Sequence, residues 1–325
     1  MKDVEKKMIE RAKELLNSGE VARVIGWKKG EFIYDPTPAV FESEQELSEM
    51  VYNGFCGANL SKYLIEKSKG EGKTAVFLKP CDTYSFNELV KEHRIQREKI
   101  YVIGVQCNGN YDVYKLRDLG VSMITGAEEK NGNLSVSTLY GEKQIPLAGG
   151  LLERCLTCKG KEHKVFDERI ILDEQSERKT LDRFAGVRKI ESMTADERFS
   201  FWRKELSKCI RCNACRNVCP ACSCIKCVFD NPSSGISAKA NDTEFEENLF
   251  HVIRAFHVAG RCTDCGECSR VCPQRIPLHL LNRKFISDIN REYGEFQAGE
   301  TSDGKHPLIS FTENDKEAKD VVERK

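Results

Sequence analysis

Seven cysteines fall within the nineteen residues "CIRCNACRNVCPACSCIKC" (209–227), and four more follow in "CTDCGECSRVCP" (262–273). Cys209, Cys212, Cys215 and Cys219-Pro220 read C-x2-C-x2-C-x3-C-P, and Cys262, Cys265, Cys268 and Cys272-Pro273 repeat that spacing without deviation. Three thiolates so closely spaced suit three irons of one 4Fe-4S cubane, and the fourth, aimed away by its proline, ligates the other cubane. The spacing therefore predicts one cluster on Cys209, Cys212, Cys215 and Cys272, and a second on Cys262, Cys265, Cys268 and Cys219. Zinc also takes four sulfurs, but usually as two well-separated pairs. A doubled run of four ending in Cys-Pro argues against it.

Eight cysteines lie outside these two runs. "TAVFLKPC" (74–81) and "KIYVIGVQC" (99–107) are apolar β-runs, each ending at a cysteine, with a helical stretch between them that Asp82 could cap. Strand, helix, strand in about thirty residues is a βαβ unit with two parallel, buried strands. Cys81 and Cys107 then share the rim at the carboxyl ends of the strands, where open α/β sheets place ligands. Cys155 and Cys158 of "CLTC" would complete four thiolates. A redox dithiol or plain packing remains an equal reading of that pair. Cys222, Cys224 and Cys227 suit either a further metal site, with Cys56 as a conceivable fourth ligand, or the lining of a cluster pocket.

The elements that must position these residues are legible in part. Residues 3–17 form an amphipathic helix with Val4, Met8, Ala12, Leu15 and Leu16 on one face, ended by Ser18-Gly19. The stretch 21–35 reads as a β-hairpin, "PAVFES" as a short strand, and Ser43 as the cap of a helix in "EQELSEMVY". "NLSVSTLYGEKQIPL" is a second hairpin, turning at Gly141. A charged connector spans 160–195, and residues 196–290 are mainly helical. The clearest helix begins at Thr243 with Glu246 three residues on, shows Leu249, Ile253 and Phe256 as its apolar stripe, and ends at Gly260. Residues 291–325 are expected as a loosely packed polar tail. The fold class is thus an α/β domain with a small parallel-strand βαβ core (1–190), then a mainly α-helical dicluster ferredoxin domain (196–290).

Composition agrees with redox work inside the cell. Sixteen cysteines in a chain with no signal peptide do not suit a disulfide framework, because cytosolic thiols are kept reduced. Lys plus Arg and Asp plus Glu are 51 each, so nothing points to nucleic acid or an anionic membrane surface. No apolar run is long enough to span a bilayer, and a cytoplasmic location is expected. The six histidines show no metal or nucleophile spacing, and His251 and His257 are expected at the surface or beside a cluster. No hydrolytic set of residues and no dinucleotide-binding GxGxxG stands out.

"VFLKPCD", "YVIGVQCNGN" and "CLTC", in that order, with "PAVFESEQELSEMVYNGFCGANL" before them, resemble the beta-subunit family of deazaflavin-reducing hydrogenases and dehydrogenases. "HVAGRCTDCGECSRVCPQRIPLHLLNRK" resembles the α-helical two-cluster ferredoxin module. The Cys-Pro-x-Cys-x-Cys step after the first motif is similar to sulfhydrogenase beta and anaerobic sulfite reductase A subunits. The resemblance implies a third 4Fe-4S cluster on Cys81, Cys107, Cys155 and Cys158, and FAD beside it. The family opens with a Gly-Gly turn, whereas this chain opens directly with "KDVEKKMIERAKELL". It further implies an electron-transfer subunit that works with a hydrogenase, a formate dehydrogenase or a heterodisulfide-reductase-type flavoprotein. The alternative is a flavin-containing subunit that itself exchanges hydride with a deazaflavin or nicotinamide.

Overall fold

The computed structural model describes residues 1–130, 132–160, 162–172, 180–231, 233, 243–310 and 313. The chain divides into two compact units, Met1–Phe86 with Glu92–Leu181, and Asn87–Lys91 with Asp182–Lys325.

In the first unit, helix α1 (Lys2–Asn17) buries Val4, Met8, Ala12 and Leu15, the face that its apolar spacing dictates. A five-stranded sheet has the order β2-β1-β3-β4-β8, with β1 Arg23–Lys28, β2 Thr37–Phe41, β3 Thr74–Leu78, β4 Ile100–Val105 and β8 Glu168–Ile170. Strands β1, β3, β4 and β8 pair in parallel, and β2 adds an antiparallel edge with Val24 opposite Phe41 and Lys28 opposite Thr37. Every residue of β3 is buried, as a parallel strand covered on both faces requires. Helix α2 (Pro80–Lys91) connects β3 to β4. A separate antiparallel sheet runs β5-β6-β7 (Ile124–Lys130, Asn133–Thr138, Gly141–Pro146) and turns at Gly141, whose φ of 116° only glycine adopts freely. Leu134 and Val136 of β6 pack there with Phe55, Tyr111, Leu116 and Leu151.

Several local expectations are corrected. The partner of β1 is "TPAVF", not "FIYD": Phe32 and Ile33 are exposed, and the loop from 29 to 36 delays the return by a turn's worth of chain. Ser43 caps nothing. A short 3-10 helix spans Gln45–Glu49 from Glu44. Asp82 is not a cap but lies in the first turn of α2, because the helix already begins at Pro80, a residue pre-set for helix entry.

In the second unit, helices α3 (Ala195–Leu206), α4 (Glu244–His257) and α5 (Leu278–Tyr293) frame the cysteine loops. Thr194 and Glu197 form a full capping box on α3, and Thr243 accepts from the Glu246 amide at the start of α4. The expected apolar stripe of α4 is not its buried face. Phe256 is 58% exposed, and the helix instead buries Glu247, Phe250, His251, Arg254 and Ala255. The short helix Ala185–Glu191 belongs to this second unit, with Gly186 close against Leu280 of α5. Part of the expected loose tail is packed: Ala298 and His306 are buried, His306 contacts Gly260 O at 3.1 Å, and Asn87 donates to Gly299 O at 3.1 Å. Residues 311, 312 and 314–325 lie outside the described residues. Among the described residues no helix is long and apolar enough to cross a membrane.

Candidate iron–sulfur sites

The two cysteine loops are built alike. After Cys209, the backbone is left-handed at Arg211 (φ 52°) and Asn213 (φ 61°), then enters the single turn Ala214–Asn217. After Cys262 it is left-handed at Asp264 (φ 52°) and Gly266 (φ 66°), then enters the turn Glu267–Arg270. Left-handed backbone is costly for most L-residues, so its recurrence at matched positions marks a shared requirement. Part of that requirement is visible: it turns the Arg211 amide onto Cys209 Sγ at 3.4 Å, and the Asp264 amide onto Cys262. The repeat continues past each proline, where Cys222 N donates to Cys219 O and Arg275 N to Cys272 O.

Two small cavities result. One is lined by Cys209, Cys212, Cys215 and Cys272, with Phe250 and His251 of α4 on its wall. The other is lined by Cys219, Cys262, Cys265 and Cys268, with His279 and Asn282 of α5. In each, three cysteines come from one loop and the fourth from the other. Burial pushes the Cys209 and Cys262 thiols up to about 12 and Cys268 to about 11, and it raises Cys215 and Cys265 as well. Neighbouring thiols add to the effect, since negative charges at close quarters oppose one another. Such a set loses its protons together only where a cation compensates, which suits iron.

The walls carry donors to match. Asn282 Nδ2 donates to Cys268 Sγ at 3.7 Å. His251 is 2% exposed, burial lowers its pKa to about 3, and neither ring nitrogen has a partner. A buried N–H with no acceptor is rare. Facing a sulfur-lined cavity, it fits a group bearing inorganic sulfide. The ligand atoms of Cys209, Glu247 and His251 lie within 4.8 Å of one another, and Glu247 is held by Arg211 Nε at 2.8 Å. Sequence reading left His251 at a surface or cluster-side role and did not single out Glu247. Their signal was polar residues at 247, 251 and 254, spaced as one helical face.

In the first unit, Cys81 lies in the first turn of α2 and Cys107 two residues past β4, at the carboxyl ends of neighbouring parallel strands. Leu152 N donates to Asn110 O, which seats the turn Glu153–Leu156 against the loop after β4 and brings Cys155 and Cys158 to the same rim. Burial and then Cys155 push Cys107 up to about 12. Burial, then Asp82, raises Cys81, to which Cys158 and Cys107 also contribute. Amides point at these sulfurs too, Asn110 N to Cys155 Sγ at 3.2 Å and Gly109 N to Cys107 Sγ at 3.4 Å. A side chain at Gly160 would sit 2.8 Å from the Cys81 backbone, so glycine permits this approach.

Beneath this rim the "LKPCD" stretch holds a buried ion pair. Lys79 and Asp82 are both fully buried, 2.9 Å apart, and Lys79 Nζ also donates to Cys56 O and Ala58 O. Burial works against the lysine's charge, but Asp82 and the nearby thiols of Cys81 and Cys107 outweigh it and hold its pKa above the ordinary value.

Of the remaining cysteines, three lie in the second unit and one in the first. Cys222 packs with Cys219 and Cys262, Cys227 packs beside Cys209 and Cys215, and Cys224 is exposed. Cys56 is buried in the first unit, where its sulfur accepts from Asn53 N at 3.3 Å and donates to Val51 O at 3.6 Å. Of the two readings of Cys222, Cys224 and Cys227, the packing of Cys222 and Cys227 beside cavity cysteines suits the lining of a cluster pocket.

Residues 205–276 match the 4Fe-4S dicluster domain family. The "F420-dependent formate dehydrogenase subunit beta" of Methanocaldococcus jannaschii is 26% identical over 338 residues, covering 87% of this chain and 88% of that protein. The "F420-dependent formate dehydrogenase 1 subunit beta" of Methanococcus maripaludis is 26% identical over 346 residues, covering 87% of each. Over most of its length the chain is similar to these beta subunits, and residues 205–276 add the dicluster match in its second unit. It is an iron–sulfur electron-transfer subunit. Among solved structures, the F420-reducing [NiFe] hydrogenase complex from Methanosarcina barkeri aligns with a TM-score of 0.38 and 19% identity, covering 48% of this chain and 62% of that one.

Proposed function

We propose that this beta-subunit chain carries three 4Fe-4S clusters and relays electrons between a deazaflavin-type carrier and a formate-dehydrogenase-type partner. One cluster takes Cys209, Cys212, Cys215 and Cys272, a second Cys262, Cys265, Cys268 and Cys219, and a third Cys81, Cys107, Cys155 and Cys158. The observation that carries the reading is the pair of cavities, each lined by three cysteines of one loop and the fourth of the other. The carrier and partner rest on the names of the two relatives that align over most of this chain. Bound there, each cubane takes up and gives back one electron at a time.

The chain's own residues do the rest. The loop amides and Asn282 donate toward cysteine sulfur and thereby favour the reduced state, which carries more negative charge. Phe250, Ile276 and Leu278 exclude water from the first cavity. Cys212 is exposed while Cys265 and Cys268 are buried, so the first cavity offers a partner the nearer approach. At the rim, Lys79 and Arg154 provide the positive field that four thiolates need.

Iron counting on the anaerobically purified protein tests the assignment. About twelve irons per chain are expected, falling to about eight in Cys155→Ser and Cys158→Ser variants. A count of about eight in the unsubstituted chain would remove the rim site. Flavin released on denaturation at about one per chain would make the protein itself a site of hydride exchange, not a pure relay.

A further inference from the structure

Helix α4 carries one buried charge that its neighbours do not explain. Arg254 is 3% exposed, yet it makes no ion pair with a carboxylate among the described residues. Three other buried acids of this unit are matched by arginines: Glu247 with Arg211 at 2.8 Å, Glu267 with Arg270 at 2.7 Å, and Asp264 with Arg283 at 2.8 Å. An unpaired guanidinium away from water is costly, and such charges persist only where something nearby compensates. What surrounds Arg254 is sulfur. Its Nη2 donates to Cys215 O at 3.3 Å, its side chain is within hydrogen-bond reach of the Cys268 thiol, and its Nε has no partner. Cys215 lines the first cavity, and Cys268 and Cys219 line the second.

We propose that Arg254 is a shared counter-ion wedged between the two cubanes of the ferredoxin domain, setting both reduction potentials at once. The inference rests on the cluster assignment above. A cubane with four thiolates is an anion when oxidised and gains a further negative charge with each electron accepted. A fixed cation between two such groups stabilises the reduced form of each and offsets part of their mutual repulsion. Arginine suits the place because it stays protonated and its fork can address both sides.

The test is a redox titration of the full-length, anaerobically purified chain, followed by EPR, with iron and sulfide counted on each sample. Arg254→Gln keeps a planar donor but no charge, and both midpoint potentials are expected to move to more negative values with iron unchanged. Arg254→Lys keeps the charge, and its two potentials are expected to stay near those of the unsubstituted protein. Unmoved potentials in Arg254→Gln, or a shift at one cluster alone, overturn the proposal. If Arg254→Gln sheds iron, Arg254→Lys decides: retained potentials uphold the shared counter-ion, whereas displaced potentials or lost iron overturn it. The cluster assignment fails separately, if the unsubstituted chain lacks two cubanes in this domain.

Discussion

Lys79 shows how much one side chain can carry. It is fully buried, paired with Asp82, bonded to two carbonyls, and stacked 4.4 Å from the Trp27 ring. Lys79→Met would leave the Asp82 carboxylate buried alone, and we expect a loss of about 3–5 kcal/mol in chemical denaturation. His163 gives a pH-dependent counterpart. Burial lowers its pKa below the ordinary 6.5, and its Nε2 lies 3.1 Å from Leu78 O. The unfolded chain takes up this proton first as pH falls. Stability from this group is therefore full above about pH 6.5 and is lost as pH drops toward the lowered folded value. A His163→Gln variant should show a flatter melting temperature between pH 7.5 and 5.5 than the unsubstituted protein. Neither residue announced itself in the sequence. Lysine beside a Pro-Cys step reads as surface, and only the fold reveals that its partner is three residues on and buried.

At the scale of elements, the matched cysteine loops invite a swap. Asn213 and Gly266 occupy the same left-handed position, with φ of 61° and 66°. Asparagine tolerates that region and β-branched residues do not. Gly266→Asn should therefore melt within about 1 kcal/mol of the parent, whereas Gly266→Val should lose more than about 1–2 kcal/mol. Equal melting of the two variants would refute the shared geometry. The cysteine spacing was legible in sequence because three of the four sulfurs lining each cavity come from one short run. The βαβ rim was legible because parallel buried strands are continuously apolar. The buried face of α4 was not. A search for an apolar stripe finds Leu249, Ile253 and Phe256, while the cavities select the polar face with Glu247, His251 and Arg254. The partner of β1 escaped for another reason: local pattern cannot weigh an eight-residue loop against a tight turn when both flanks favour strand.

For the molecule as a whole, exposure separates cysteines that sequence treats alike. Cys212 and Cys224 are both exposed, but of the two only Cys212 lines one of the paired cysteine cavities. Under anaerobic iodoacetamide, the loaded protein should be alkylated at Cys224 and spared at Cys212, with Cys212 reacting once a chelator has stripped the iron. Peptide mass spectrometry reads both sites. Full labelling of Cys212 in the loaded protein would contradict its place as a ligand. The exchange of one cysteine between the two loops has a consequence for how such a protein is made. Neither loop alone encloses a four-sulfur shell. On the proposed cluster assignment, the first cofactor to arrive would draw in a residue from the opposite loop and so fix the scaffold of the vacant neighbour. Cooperative filling is the expected outcome: maturing chains would divide into empty and fully charged populations, with half-filled ones scarce.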